Sequence, residues 1–259
     1  MSPFNSLISK NFSVATTFPK ISTEGLVLHL DAGQQNSYKG SGTIWTDLSG
    51  KVNTGTLVSG VGYNSSNGGS LSFDGSNDYV TLPTNLLIHE TGNPFTFSIW
   101  FKTSSTGIIL GQQGNSAPDN GTNGWVPAIY VGTDGFLYTS CFWGGSVQTS
   151  VSSSSANNGN WNNITVTFAS NSQISYLNGT SYATLSKTQT NYNATYYYFI
   201  GSGKVSGWTS APTSPYFNGN ISNTLFYNKA LTVTEIRQNF QALRGRFGVW
   251  VDSFFYKYK

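Results

Sequence analysis

Acid–base chemistry on a sugar needs two carboxylates facing each other across a cleft, and this sequence has few to offer. Only three glutamates occur, Glu24, Glu90 and Glu235. Glu24 precedes an apolar run, Glu90 lies in a loop-like stretch, and Glu235 stands where a helix start uses a glutamate as a cap. Asp74 and Asp78 are close in sequence, but they flank a turn that needs such residues for its own backbone. The two histidines, His29 and His89, are far apart, which makes a poor zinc pair. Neither accompanies a Gly-x-Ser-x-Gly nucleophile motif. Cys141 is the one cysteine; alone it closes no internal disulfide and builds no thiolate metal site. No catalytic residue and no metal ligand set is expected from these residues, and the chain reads as no enzyme.

Sugar binding asks for different chemistry: an aromatic face to stack on a ring, with amides and a carboxylate around it. Residues 112–145 supply that mixture in Asp119, Asn120, Asn123, Trp125, Tyr130 and Trp143. They form the candidate glycan site. Sequons at Asn163, Asn178 and Asn220 are what a chain so rich in Asn, Ser and Thr produces by chance.

The elements that must position these residues are strands. GLVLHL at 25–30 is a short apolar strand. In 70–82, SLSFDGSNDYVTL, two alternating runs are joined by a turn at Asp74–Gly75. Phe95, Phe97, Ile99 and Phe101 alternate along FTFSIWFK. Residues 128–138 read as a hairpin turning near Asp134–Gly135. Residues 161–168 pair with 172–177, and Asn178–Gly179 then favours a type I′ turn into 181–185. Strands at 196–200 and 222–227 complete the pattern, and SSSSANNG at 152–159 reads as a loop. One helix is expected, with Thr232 and Glu235 as its capping box, Val233, Ile236, Phe240 and Leu243 on one face, and Gly245 as a left-handed stop. Many short strands at close intervals predict an all-β, two-sheet antiparallel jelly-roll sandwich with one short C-terminal helix.

Charge narrows the setting. Only 9% of residues are charged while 15% are aromatic, against about 25% charged in ordinary domains. Such a chain folds, and its exterior is neutral and rich in amides and hydroxyls. Nucleic-acid binding is excluded because clustered positive charge is missing. No run of about 18 apolar residues is present, so membrane insertion is excluded too, and no signal peptide is visible. The net charge of +3 comes from residues 237–259, which hold five of the thirteen Lys and Arg but one acidic residue.

Three regions follow: an N-terminal arm at 1–22, the sandwich at 23–246 and an aromatic, basic tail at 247–259. Phe4, Phe12 and Phe18 at one end, and Phe247, Trp250, Phe254, Phe255 and Tyr256 at the other, are expected to dock on partner chains, since exposed aromatic clusters usually cover something.

Taken in order, GLVLHLDAG (25–33), WTDLSG (45–50), SLSFDGSNDYV (70–80), FTFSIWFK (95–102), WNNITVTF (161–168), YLNGT (176–180) and the stretch from Phe217 to Gly248 resemble a laminin-G-like, concanavalin A-like jelly roll. LHLDAG and NFQALRGRFG are similar in wording to modules in structural proteins of tailed bacteriophages, cyanophages in particular. The resemblance implies a virion structural protein, a decoration, fibre or appendage subunit on the virion surface, made in the host cytoplasm. It also implies homo-oligomers with other virion proteins as partners, and contact with host surface glycans. A free-standing lectin-like module is the alternative and a glycoside hydrolase of the same fold a remote one. No cofactor is required; calcium is the cation relatives hold, and Asp31, Asp74, Asn77 and Asp78 would supply oxygens. Relatives often have an acidic residue after the late Gly-x-Ile motif, where this chain has Gly219-Asn220-Ile221-Ser222-Asn223, and that weakens the site.

Overall fold

The computed structural model describes residues 19–84, 86–87, 93–118, 124–140, 150–169, 171–186 and 196–249, with backbone only at 124–127. Sixteen strands run through them in chain order: β1 (Leu26–Asp31), β2 (Ile44–Trp45), β3 (Gly55–Val58), β4 (Gly62–Asn64), β5 (Ser70–Asp74), β6 (Tyr79–Leu82), β7 (Phe95–Lys102), β8 (Gly107–Gln113), β9 (Gly124–Val131), β10 (Phe136–Ser140), β11 (Ser150–Ser155), β12 (Trp161–Ala169), β13 (Ser172–Leu177), β14 (Thr180–Ser186), β15 (Tyr197–Ile200) and β16 (Asn218–Tyr227). The helix α1 (Val233–Arg244) follows.

They form two antiparallel sheets of eight strands. Sheet A has the order β14-β13-β12-β7-β16-β5-β4, with β1 also paired to β16; sheet B has the order β11-β10-β9-β8-β15-β6-β3-β2. This is the sandwich that the strand pattern predicts. The space between the sheets is filled from both sides. Phe95, Phe97, Ile99 and Phe101 of β7 meet Ile164, Val166 and Phe168 of β12, Ile109 and Leu110 of β8, and Ile129 and Val131 of β9. Phe95 stacks on Phe168 with centroids 5.5 Å apart, and Phe97 meets the edge of Phe226 at 4.6 Å. Towards the β10–β11 end the interior turns polar. Thr139, Ser150 and Ser175 share hydroxyl hydrogen bonds, and the Gln173 amide donates to the Thr139 carbonyl at 3.3 Å. Each of these buried groups therefore has a partner, as burial in a low dielectric requires.

The turn at Asp74–Gly75 does not close a hairpin. β5 belongs to sheet A and β6 to sheet B, so the turn carries the chain from one layer to the other. The serine run read as a loop is half strand, since Ser150–Ser155 pairs with β10. The expected Asn178–Gly179 turn is present, with φ of 51° and 77°.

Helix α1 has both halves of the capping box: Thr232 Oγ1 accepts from the Glu235 N–H at 3.3 Å, and Glu235 Oε2 accepts from the Thr232 N–H at 2.8 Å. Ile236 and Phe240 are buried against sheet A, whereas Val233 is 47% exposed, so the buried stripe is narrower than the apolar spacing implies. Gly245 is right-handed, at φ −62° and ψ −36°. The chain makes a further turn, and Gly248, at φ +66°, is the left-handed residue. That extra turn places Phe247 on the sandwich.

The described end of the N-terminal arm also folds back. The Ser22 N–H donates to Asn239 Oδ1 at 2.7 Å, the Tyr227 hydroxyl donates to the Ser22 carbonyl at 2.9 Å, and Gln238 Nε2 donates to the Lys20 carbonyl at 2.7 Å. Phe4, Phe12, Phe18, Trp250, Phe254, Phe255 and Tyr256 lie outside the described residues.

Candidate functional site

A cavity of about 460 Å³ opens beside the start of β12, on the side of the fold where residues 247–249 pass. Its walls are amides. Asn158 and Asn160 come from the segment leading into β12, Asn162 from β12 itself, Asn178 from the β13–β14 turn, and Asn67 from a single 3-10 turn at Ser66–Gly68. Trp161 and Phe247 supply aromatic edges, and Lys102, the last residue of β7, supplies a cation. The amides hold one another. Asn162 Nδ2 donates to Asn158 Oδ1 at 3.2 Å and to the Asn160 carbonyl at 3.1 Å; Asn178 Nδ2 donates to Asn162 Oδ1 at 3.2 Å. Asn178 Oδ1 accepts from the Asn163 N–H at 2.8 Å, and Asn67 Oδ1 accepts from Trp161 Nε1 at 3.2 Å. An Asn side chain has two donor hydrogens and two acceptor lone pairs; Asn162, buried, spends both hydrogens inside the cluster, so the capacity for hydroxyls lies with the exposed Asn158 and Asn160 amides.

Arg246 fixes the wall that Phe247 forms. Its Nη1 pairs with Asp31 Oδ1 at 2.6 Å, Nη2 donates to the Gly69 carbonyl at 2.6 Å, and Nε donates to the Asn67 carbonyl at 2.8 Å. The guanidinium carbon sits 4.9 Å from the Phe247 ring centroid. Phe247 in turn stacks on Trp100 at 4.3 Å and leans on Trp161 at 4.7 Å, and is 4% exposed. The expectation that Phe247 docks on a partner chain is therefore corrected: Trp100 and Trp161 of its own sandwich take up its ring, and the domain extends past residue 246.

The sequence-derived glycan set is only partly placed. Asp119, Asn120, Asn123 and Trp143 lie outside the described residues, as does the Trp125 side chain, although its backbone pairs with Gln112. Tyr130 is corrected. Its ring is fully buried on the outer face of sheet B, stacked on Tyr138 at 5.1 Å and covered by Trp208, and its hydroxyl donates to the Thr209 carbonyl at 2.7 Å. No ring face is left for a sugar.

Of the acidic residues, Asp74 and Asp78 adjoin, with Asp78 Oδ2 accepting from the Asp74 N–H at 3.1 Å, but Asp31 lies apart from them. Asp31 pairs with Asn223 and Asp74 with Asn218 along the same strand, five residues and about 17 Å apart at strand rise. The Asp31 carboxylate is also committed to Arg246. Among the described residues no three of His, Cys, Asp and Glu gather. His29 is shifted to a lower pKa by burial, against the pull of Asp31 and Asp47. Asp47 itself binds the backbone N–H groups of His29, Ser49 and Asn53, which is a loop-fixing role.

The family described as the concanavalin A-like lectin/glucanases superfamily matches residues 74–237. The chain belongs to this family. No curated protein matches it. Among solved structures it is similar to a Trypanosoma rangeli sialidase in complex with the inhibitor DANA, at 16% identity and TM-score 0.60, covering 85% of this chain and 33% of the sialidase. It is similar to the binding domain of Paraclostridial Mosquitocidal Protein 1, at 14% identity and TM-score 0.61, covering 84% and 52%. The botulinum neurotoxin serotype D/C binding domain matches at 17% identity and TM-score 0.60, covering 85% and 53%. The chain thus spans a third to about half the length of these proteins. At such identities the likeness is one of fold. It nevertheless corrects the reading of the chain as no enzyme: sialidases are among the proteins that contain this fold, so a shortage of carboxylate pairs in the sequence is not enough to set catalysis aside.

Sequence reasoning missed Lys102, Trp161 and the amides around them. The signal was present as ANNGNWNN at 156–163, an aromatic among closely spaced amides, but it reads equally as turn chemistry leading into a strand.

Proposed function

We propose that the chain is a carbohydrate-recognition module and that the amide-lined cavity at Asn158, Asn160, Asn162 and Asn178 receives the sugar. The observation that carries this reading is the concentration of mutually fixed amides at one 460 Å³ cavity with aromatic edges. A sugar presents hydroxyls that both donate and accept, and preorganised amides meet them without first paying for ordering. The fold shared with a sialidase and two toxin binding domains is consistent with this reading. Glycan-array screening followed by calorimetry tests it. The double variant Asn158→Ala/Asn160→Ala changes two exposed residues, and it should weaken the selected glycan about tenfold, or about 1.4 kcal/mol, with an unchanged circular dichroism spectrum. Unchanged affinity would remove the cavity from the reading.

A second reading concerns setting. The order and wording of LHLDAG and NFQALRGRFG support a module carried by a virion structural protein of a tailed phage, homo-oligomeric and turned towards host surface glycans. Mass spectrometry of purified particles tests it, with absence of the chain as the contrary result. Calcium is tested by repeating the calorimetry with a chelator.

A further inference from the structure

Among the described residues that line the cavity, one carries a charge. Asn67, Asn158, Asn160, Asn162 and Asn178 carry no charge, and among the described residues no Asp or Glu lines it. Lys102 does line it, is only partly exposed, and forms no ion pair among the described residues. The nearby guanidinium of Arg246 adds little field, because it is matched by Asp31 at 2.6 Å. The other ion pairs, Lys229 with Glu24 and with Glu235, involve the start of α1 and not the cavity. Among the described residues the site therefore holds one uncompensated positive charge beside fixed amide dipoles, in a chain where only 9% of residues are charged. A lone cation partly withdrawn from water gains from an anionic partner more than a fully hydrated one does, because the effective dielectric around it is lower. Amide N–H donors beside it can share the same oxygens.

From this we infer that the cavity selects saccharides bearing an anionic substituent, a carboxylate or a sulfate, and that Lys102 is the residue that sets this preference. The inference rests on the carbohydrate reading and adds charge selectivity to it. Lys102 ends β7 at the rim of sheet A, where its backbone pairs with Trp161 and Asn220. A change at its ammonium therefore leaves the ladder in place.

The test uses matched probes that differ in charge: oligogalacturonate against its methyl ester, sialyllactose against lactose, and dextran sulfate against dextran. Calorimetry in low salt should find at least one anionic member bound about tenfold more tightly than its neutral counterpart. Whether the carboxylated or the sulfated pair shows the gap identifies the substituent. The gap should close in Lys102→Gln, persist in Lys102→Arg, and shrink at about 1 M salt, where the screening length falls to about 3 Å. Equal binding of anionic and neutral members, or a gap that survives Lys102→Gln, overturns the inference and leaves the carbohydrate reading standing. Binding of neither class to the wild-type chain overturns both.

Discussion

Each sheet of this sandwich has an outer face covered by the chain itself, and each cover is pinned by an aspartate, but the two pins sit in different surroundings. On sheet A the cover is α1 with residues 245–249, and the pin is Asp31, 1% exposed and paired with Arg246. On sheet B the cover is the segment between β15 and β16. Its pin is Asp134, which lies at the surface and accepts from the Tyr138 hydroxyl at 2.7 Å and the Ser210 hydroxyl at 2.9 Å. A buried carboxylate costs several kcal/mol to strip of water unless its partner stays in place. A surface carboxylate keeps water as a substitute partner. The same residue type thus fastens one cover as an obligatory pair and the other as an optional one.

Four changes would sharpen or break this contrast. Arg246→Ala should cost most, about 3–5 kcal/mol, because it removes the ion-pair partner of the buried Asp31 carboxylate and leaves it to the neutral donors of Gly33, Gln34 and Asn223; urea denaturation measures it, and a loss under 1 kcal/mol would mean that those donors suffice for Asp31. Trp100→Ala removes the ring on which Phe240 and Phe247 stack at 5.5 and 4.3 Å. It should cost about 3–4 kcal/mol and render residues 245–249 open to limited proteolysis.

Acid should act next, at the start of α1. Partial burial works to raise the pKa of Glu235, but hydrogen bonds from the Thr232 backbone, the Lys229 ammonium and the Thr232 hydroxyl outweigh it and bring the carboxyl to about 2. The depressed value means that the ionised form stabilises the fold at neutral pH. That contribution, about 1–2 kcal/mol after allowance for solvent screening, is lost as pH falls from about 4.5 towards about 2. Glu235→Gln should flatten this part of a pH–stability curve. The smallest effect is expected on sheet B. Asp134→Asn should cost about 1 kcal/mol or less, and a larger loss would show that its pin is as obligatory as the other.

The sandwich itself was legible because alternation is a local property. Phe95 to Phe101 announce their face within eight residues, and Thr232 with Glu235 announce the helix start within four. The layer to which a strand belongs is not local. Asp74–Gly75 looks the same whether it folds a strand back on its neighbour or delivers it to the opposite sheet, and the decision rests on β16 and β3, which take β5 and β6 respectively. Phe247 was misjudged for the same reason: its partners Trp100 and Trp161 lie 147 and 86 residues away. Tyr130 shows the converse error. Its residue type suits a sugar platform, yet burial depends on a cover whose sequence, rich in Gly, Ser, Thr and Pro, has no periodicity to reveal that it lies flat on a sheet. That cover sits very close at one point, where a Cβ built on Gly111 would meet the Gly203 Cα at 2.5 Å. The amide cavity was hard to see because asparagine serves turns throughout this chain, and only the fold distinguishes those that converge.

Both described ends of the chain rest on the same outer face: residues 20–22 against α1 and β16, and residues 246–249 against Trp100 and Trp161. Tension applied between these two points would meet the helix and its flanking contacts before it reached the long ladders of β7, β12 and β16. Those contacts are side-chain bonds and stacked rings that give way one after another. The sheets, loaded later, would yield only as a unit. Such tension would therefore strip the Phe247–Val249 wall from the cavity while the ladders behind it still held.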